Sequence, residues 1–339
     1  MSGGDGEVAL SLVYAQVVFA VLLLSLDALL VQLVSDLDDW TIIFFRYAFM
    51  GLTILTFYSF QESGAIISKF LRIGWVGLAA AAIMAGAGVS FTLALLHTHT
   101  ANVFLIAATT SLWASIFAFF LFGELVPVRT IVAIIVSFLA VGVVIGIELS
   151  SDLDNNWFGN VMAVLSSILT ALYLVLVRGM NWGLPESEKI DFVPALLVAA
   201  FIESIVGLSA GANLNSVSDM DLLYLAIMGI IVLAIGSSIL TLATKRISAP
   251  EVSLFMLLDS LLEPLWVYLA GFDDPPTYTL YAGAFVLTAL IVNSVLALHE
   301  DEGRVSKGDG STISGESNEE ETTAGAESSK LLPQGAKRE

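Results

Sequence analysis

Ten apolar runs dominate this sequence, and each is about as long as a helix must be to cross the hydrocarbon core of a bilayer. Backbone amides that face lipid have no water to bond with, so each run is expected to be helical. Hydrophobic residues make up 57% of the chain and charged residues 13%, a balance outside the range of soluble domains. We therefore predict an all-α integral membrane protein with ten transmembrane helices. The runs are Ala9 to Val34, Trp40 to Phe60, Gly74 to Leu96, Ala101 to Phe122, Val128 to Ile147, Phe158 to Val177, Phe192 to Ala212, Leu222 to Thr244, Val252 to Phe272 and Leu280 to Leu298.

Lysine and arginine fall on one side of this predicted bundle. Every cation other than Arg46 and those of the C-terminal tail follows an even-numbered helix. Because cytoplasmic loops retain lysine and arginine, both termini are predicted to be cytosolic. The cations that set this orientation are Lys69, Arg72, Arg129, Arg178, Lys189, Lys245 and Arg246.

The predicted outer loops are acidic. Such a face concentrates cations at the outer mouth, although acidic loops also arise simply because cations are excluded there. The acids are Asp36, Asp38, Asp39, Asp152, Asp154, Asp219 and Asp221.

The two halves of the membrane part resemble each other weakly. Ala101 to Pro127 aligns without a gap with Pro250 to Pro276, at an offset of about 149 residues, and both stretches end in an acidic turn before proline. Five helices per copy turn the second copy upside down, which is the inverted-repeat plan of secondary transporters. The alternative is a chance alignment of two ordinary apolar helices. We predict two inverted five-helix repeats, at 1–149 and 150–299, and a disordered cytosolic tail at 300–339.

Soft motifs in both halves resemble a known family. Ala101 to Gly142 contains a Phe-Gly-Glu turn, a Val-Pro step and a helix that ends in Val-Gly-Val, and the second half carries Leu262 to Trp266 and Gly283 to Asn293. With these motifs the membrane part resembles the EamA repeat of the drug/metabolite transporter superfamily. The second copy departs from that repeat where Asp273 or Asp274 replaces the usual Gly-Glu. The resemblance implies a ten-helix bundle with an alternately accessible cavity, which exports or exchanges a metabolite.

Several functions compete with that expectation. Nucleotide-sugar and phosphate-ester translocators, which belong to the same superfamily, are expected to place cations inside the bundle, and only Arg46 lies inside a predicted helix. A channel or a non-transporting receptor is the alternative class, and a channel favours charged rings around a pore. An enzyme is not expected, since the chain has no cysteine and its three histidines lie at helix ends.

The expected partners follow from the same observations. They are a small-molecule solute, the lipid bilayer and, for a coupled carrier, protons. No cofactor and no metal is predicted, and the chain has no basic patch for a nucleic acid.

Five ionisable residues lie inside predicted helices. On insertion scales, placing one such residue at the centre of a membrane helix costs about 2.5–3.5 kcal/mol of free energy. Asp27 and Arg46 lie at matching depths, so an ion pair would satisfy both; contact with solute is the alternative. Asp259 and Glu263 share a helix face, and two carboxyls buried together can hold a proton between them, as a proton-coupled carrier requires. Their alternative is a kinked helix whose acids bond to a neighbour. Glu203 stands alone and is either a structural or a coupling residue.

Four more side chains are candidates to line the solute cavity. Thr109, Thr110 and Trp113 lie on the fourth predicted helix, and Trp266 lies on the ninth. Close helix packing explains threonines in a membrane equally well.

Two pairs of glycines permit close helix approach. Gly142 with Gly146, and Gly207 with Gly211, form small-xxx-small patterns. We expect packing within one chain, with a homodimer seam as the alternative.

The tail contains a short sorting pattern. Glu327, Leu331 and Leu332 fit the acidic dileucine motif that clathrin adaptors bind, although a match of this length also arises by chance. A genuine signal would place the protein in the plasma membrane or an endomembrane.

Overall fold

The computed structural model describes residues 3–61, 66–123, 127–150, 156–181, 184–185, 190–243, 249–289 and 291–292. This part of the chain is nearly all helical. Seven of its helices are long and apolar enough to cross a membrane, so the chain is a multi-pass, all-α membrane protein. The ten-helix count and the inverted repeats stay predictions. The seven spans are Leu12–Leu33, Asp39–Phe60, Ile73–His97, Thr100–Phe122, Trp157–Met180, Val193–Ala210 and Asp219–Leu242.

We number the helices in chain order. A π-helical segment, Ile227–Gly236, joins α10 to α11. The helices are α1 Gly3–Leu24, α2 Asp27–Leu33, α3 Asp39–Gln61, α4 Ile66–His97, α5 Thr100–Ala107, α6 Thr110–Phe122, α7 Val128–Ser150, α8 Trp157–Met180, α9 Val193–Ala210, α10 Asp219–Ala226, α11 Ser237–Ala243, α12 Ala249–Leu269 and α13, residues 277–289.

Two of the predicted helices are interrupted. The first run is broken at Ser25, between α1 and α2, where the Ser25 hydroxyl donates to the carbonyl of Leu22 at 3.0 Å. The fourth run is broken at Thr109, between α5 and α6, and the Thr109 hydroxyl donates to the carbonyl of Ile106 at 2.6 Å. Both interruptions lie within a single membrane span, so the first and fourth predicted helices each cross as one span with a local irregularity. Hydroxyl side chains of this kind compete with the helical ladder for backbone carbonyls.

The helix packing is closest around α4 and α9. α4 packs against α8 and α9, α3 packs against α9, and α12 packs against α1, α2 and α5. Gly207 permits the α3–α9 approach, because a β-carbon there would lie 2.8 Å from both the Phe44 nitrogen and the Trp40 carbonyl oxygen. At Gly142 and Gly146 a β-carbon would meet no described atom within 4 Å. Both glycines are exposed, and the expectation that this pair packs within the chain stays a prediction.

The outward faces of the bundle are apolar. Leu12, Phe57, Leu139, Ile205 and Phe285 are each 60–66% exposed, on five different helices. An apolar surface spread over so many helices is expected where a protein faces lipid.

Several acids of the predicted outer loops stabilise helix starts. Asp38 accepts hydrogen bonds from the first backbone amides of α3, and Asp221 forms a capping box with Ser218 at α10. Asp273 accepts from the Thr100 backbone amide at 2.7 Å, at the start of α5. Helix capping accounts for these acids, so they do not require a role in concentrating cations. The acids between α7 and α8 lie outside the described residues.

Some predicted features lie outside the described residues altogether. They are the tail at 300–339 with its motif Glu327, Leu331 and Leu332, and the side chains of most loop cations.

Candidate functional site

The five ionisable residues inside the predicted helices are all buried, and each is only 1–7% exposed. They approach one another where α2, α3, α9 and α12 meet. We call them the charged cluster: Asp27 in the first turn of α2, Arg46 on α3, Glu203 on α9, and Asp259 and Glu263 on α12.

The ion pair expected from matching depths is confirmed. Arg46 Nη2 donates to Asp27 Oδ2 at 2.6 Å. The pair is incomplete, because Arg46 Nε, Arg46 Nη1 and Asp27 Oδ1 are buried without a hydrogen-bond partner among the described residues. Buried polar atoms in proteins are normally bonded. The unbonded atoms therefore leave this pair able to accept a further ligand.

The α12 carboxyls contact both each other and the start of α2. Asp259 and Glu263 lie one helical turn apart on α12 and interact with each other, and Glu263 also interacts with the backbone at Ala28. Two carboxyls that are buried close together favour a proton on one of them. Asp259 Oδ1 and Glu263 Oε2 are buried and lack a partner in the described part of the chain. The carboxyl pair can thus hold a proton and still offer acceptor oxygens.

Electrostatic interactions join the ion pair to the carboxyl pair. Asp27 interacts with Asp259 and with Glu263, and Arg46 interacts with Glu263. One cation therefore faces several acids, and the cluster is neutral only if some of the carboxyls are protonated.

Trp266 ties α12 to the break in the first span. It lies one turn after Glu263, is half-buried, and donates from Nε1 to the Ser25 hydroxyl oxygen at 3.1 Å. The sequence suggested a cavity wall for Trp266. The structure places it at the helix break, beside the charged cluster.

Glu203 does not stand alone. It interacts electrostatically with Arg46, and its carboxyl lies in a notch above Gly88 of α4. A β-carbon on Gly88 would collide with Glu203 Oε1 and lie 2.7 Å from Tyr47 Oη. Sequence analysis missed Tyr47 and Gly88, because neither is charged and their role depends on which helices face each other.

The candidates on the fourth predicted helix lie at the second break. Trp113 packs against Phe138 of α7 with ring centroids 4.9 Å apart. Thr109 uses its hydroxyl within the break, and Thr110, half-buried, begins α6. No described contact joins these three side chains to the charged cluster, although α5 packs against α12.

An apolar groove of about 260 Å³ lies between α3 and α9. Its lining includes Phe44, Leu52, Phe201 and Ile205, and no carboxyl or guanidinium. The groove is therefore separate from the charged cluster.

Histidines pair with acids at the end of α4 and at the start of α5. His97 Nε2 lies 2.7 Å from Asp39 Oδ2, and His99 Nδ1 lies 2.6 Å from Asp273 Oδ1. The described residues hold no group of three or more side chains suited to a metal ion.

Comparison with known proteins shows a shared fold only. Eleven chains of solved structures match this one. One of them, described as "Crystal structure of protein", aligns with a TM-score of 0.58 and 19% sequence identity, over 85% of this chain and 98% of its own. The two chains share a fold. No family model matches the sequence, and no curated protein matches it.

The geometry of the cluster defines the chemistry that it can perform. Unbonded guanidinium nitrogens can bind an acceptor group, and unbonded carboxyl oxygens can bind a donor or a proton. Ionisable residues buried inside spans in this way mark solute or proton pathways.

Proposed function

We propose that this protein is a secondary transporter that exports or exchanges a small organic metabolite by alternating access, with proton coupling. In this proposal it is an EamA-like member of the drug/metabolite transporter superfamily, with ten helices in two inverted repeats and both termini in the cytosol. The observation that carries the proposal is the charged cluster, whose members come from four helices and retain unbonded atoms of both signs.

The helix break next to the cluster supports the same proposal. Transporters commonly place solute and coupling ions beside discontinuous helices, whose exposed backbone groups serve as ligands. Here Glu263 interacts with the backbone at Ala28, in the first turn after the break, and Trp266 donates to Ser25 within it. A site tied to a break can follow the movement of the two half-helices.

The atoms left unbonded favour a particular class of solute. Arg46 offers two donor nitrogens, and Asp259 and Glu263 offer acceptor oxygens. A solute with an acceptor group and a protonated amine would complete both sets. A phosphate ester, with its two negative charges, would face several acids and one guanidinium, which disfavours the phosphate-ester and nucleotide-sugar alternatives.

Counterflow tests carrier against channel. Vesicles that contain the purified protein are loaded with an unlabelled solute, and uptake of the same labelled solute is followed from outside. We test amino acids, amines, sugars, nucleosides and phosphate esters in turn. A carrier accumulates label transiently above the outside concentration. A channel only equilibrates it, and label that never exceeds the outside concentration for any permeant solute would overturn the proposal.

A further inference from the structure

Arg46 has several carboxyl groups around it and bonds to one of them, Asp27. Its Nη2 donates to Asp27 at 2.6 Å, while Nε and Nη1 have no partner among the described residues. Glu203 interacts electrostatically with the same guanidinium from the side of α9. Glu203 is therefore a second acid close to this guanidinium.

The hydroxyls next to Glu203 have a fixed hydrogen-bond direction. Thr92 Oγ1 donates to the Gly88 carbonyl at 3.0 Å, since a carbonyl can only accept. Thr92 has a single hydroxyl proton, so Tyr47 must be the donor in the 3.2 Å bond between Tyr47 Oη and Thr92 Oγ1. Tyr47 Oη is then left with acceptor capacity only.

Gly88 brings Glu203 against that oxygen. The carboxyl of Glu203 and the hydroxyl of Tyr47 share the space that a β-carbon on Gly88 would fill. A protonated Glu203 can donate to Tyr47 Oη. An ionised Glu203 faces an oxygen that can only accept, and needs a cation instead.

The charged groups around Glu203 are few. α9 packs against α3, α4 and α11. α3 contributes Arg46 and Tyr47, the described side chains of α4 contribute only His97 at the outer end, and α11 has no titratable residue. Beyond Arg46 lie Asp27 and Glu263. Arg46 is thus the cation that an ionised Glu203 would bind.

We propose that Arg46 changes partner from Asp27 to Glu203 as one proton moves from Glu203 to Asp27. In the first arrangement, which has the Arg46–Asp27 contact of the structure, Asp27 is ionised and Glu203 carries the proton beside Tyr47. In the other, Glu203 is ionised and bound to Arg46, and Asp27 carries the proton. One O–H bond breaks at Glu203 and one forms at Asp27.

Each arrangement contains one cation and one anion among these three residues. The exchange therefore adds no net charge to the membrane interior, where an uncompensated charge is costly. It rests on the proposed function, to which it adds a coupling step: the proton passes from α9 to α2, next to the Asp259–Glu263 pair.

Infrared spectroscopy of the purified full chain in lipid nanodiscs tests the exchange. Protonated carboxyls absorb apart from ionised ones, and the Glu203→Gln variant identifies the band of Glu203. We expect Glu203→Gln to lose one protonated-carboxyl band. Tyr47→Phe should shift that band to higher frequency, because the carboxyl loses its hydrogen-bond acceptor.

Asp27→Asn is the decisive variant. With Asp27 neutralised, Arg46 should bind Glu203, so the Glu203 band should disappear at a pH where the wild type shows it. Asp38→Asn, the same change in an outer-loop cap, should leave the band unchanged. A Glu203 band that persists in Asp27→Asn, or that never exists in the wild type, would overturn the exchange.

Stability of the variants gives a second readout. Asp27→Asn and Glu203→Gln should each fold, because Arg46 retains one partner in either variant. The double variant should lose most of its folded yield, since it leaves a buried guanidinium without an anion. Failure of Asp27→Asn alone to fold would contradict the exchange. None of these readouts depends on solute flux, so they test the partner exchange separately from the proposed transport function.

Discussion

Two buried polar regions of this bundle are built in opposite ways. At the junction of α4, α5 and α8, uncharged groups bond directly: Thr98 Oγ1 donates to Asn160 Oδ1 at 2.9 Å, and the Ser167 hydroxyl donates to the Ile106 carbonyl at 3.2 Å. A β-carbon on Gly159 would lie 2.5 Å from the His97 backbone, so the packing there is also tight. In the charged cluster the buried atoms that lack a described hydrogen bond are ionisable, whereas those near the junction, such as Thr100 Oγ1, are uncharged.

The difference separates polar groups that hold the fold from those that await a ligand. Bonded, uncharged groups add a net stabilisation of about 0.5–1.5 kcal/mol each, whereas an unbonded buried group costs about 1–3 kcal/mol or more if charged. A membrane protein retains such a cost where a solute or proton offsets it. We therefore propose a structural role for the junction and a transport role for the cluster.

The largest effect is expected from the double change Asp259→Asn with Glu263→Gln. Solute flux into vesicles should fall to background, because the proton-holding pair is lost. The free energy of unfolding should not decrease, since two costly buried carboxyls become neutral amides. If flux and stability fell together, these acids would have a structural role, and the cluster would no longer differ from the junction.

Gly159→Ala tests the junction from the packing side. The new β-carbon would overlap the His97 backbone, and overpacking of this kind costs about 1–3 kcal/mol of stability. Gly142→Ala is the matched control on α7, where a β-carbon meets nothing described within 4 Å. Denaturant unfolding measures both, and equal stabilities would show that the junction is not tightly packed.

Thr98→Val removes a junction hydroxyl with little change of shape. We expect a loss of about 1 kcal/mol in the free energy of unfolding, because the bond to Asn160 Oδ1 is gone. Flux per folded molecule should stay at the wild-type value. Thr56→Val, whose hydroxyl bonds only within its own exposed helix face, serves as control; a flux defect confined to Thr98→Val would give the junction a part in transport.

Trp266→Phe should produce the smallest change in stability. It keeps an aromatic ring and removes the Nε1–H that bonds to Ser25, at a cost of about 0.5 kcal/mol. Because this bond holds α12 against the helix break, flux should fall, though less than in the double carboxyl variant. If Trp266→Phe lowers stability but leaves flux unaltered, the role of Trp266 is limited to helix packing.

The charged cluster was largely predictable because a charge inside an apolar run is costly and conspicuous. Asp27, Arg46, Glu203, Asp259 and Glu263 could all be selected on that ground, and equal depth further predicted the ion pair. The helix breaks at Ser25 and Thr109 could not be predicted, since no glycine or proline marks them in the sequence.

Contacts between distant helices were also beyond the sequence. Glu203 could be found but not joined to Arg46, and Gly88 is one of several glycines in α4. Trp266 and Ser25 are separated by most of the chain, so their bond depends on the fold. Periodicity reports which face of a helix is apolar, but not which helix it meets.

The most direct test of the account is solute-stimulated proton flux in vesicles that contain the wild type, Glu263→Gln or Thr98→Val, with a panel of amino acids, amines, sugars, nucleosides and phosphate esters. We predict flux with one solute class that is lost in Glu263→Gln and retained in Thr98→Val. Flux that is indifferent to Glu263→Gln would contradict the assignment of transport to the charged cluster.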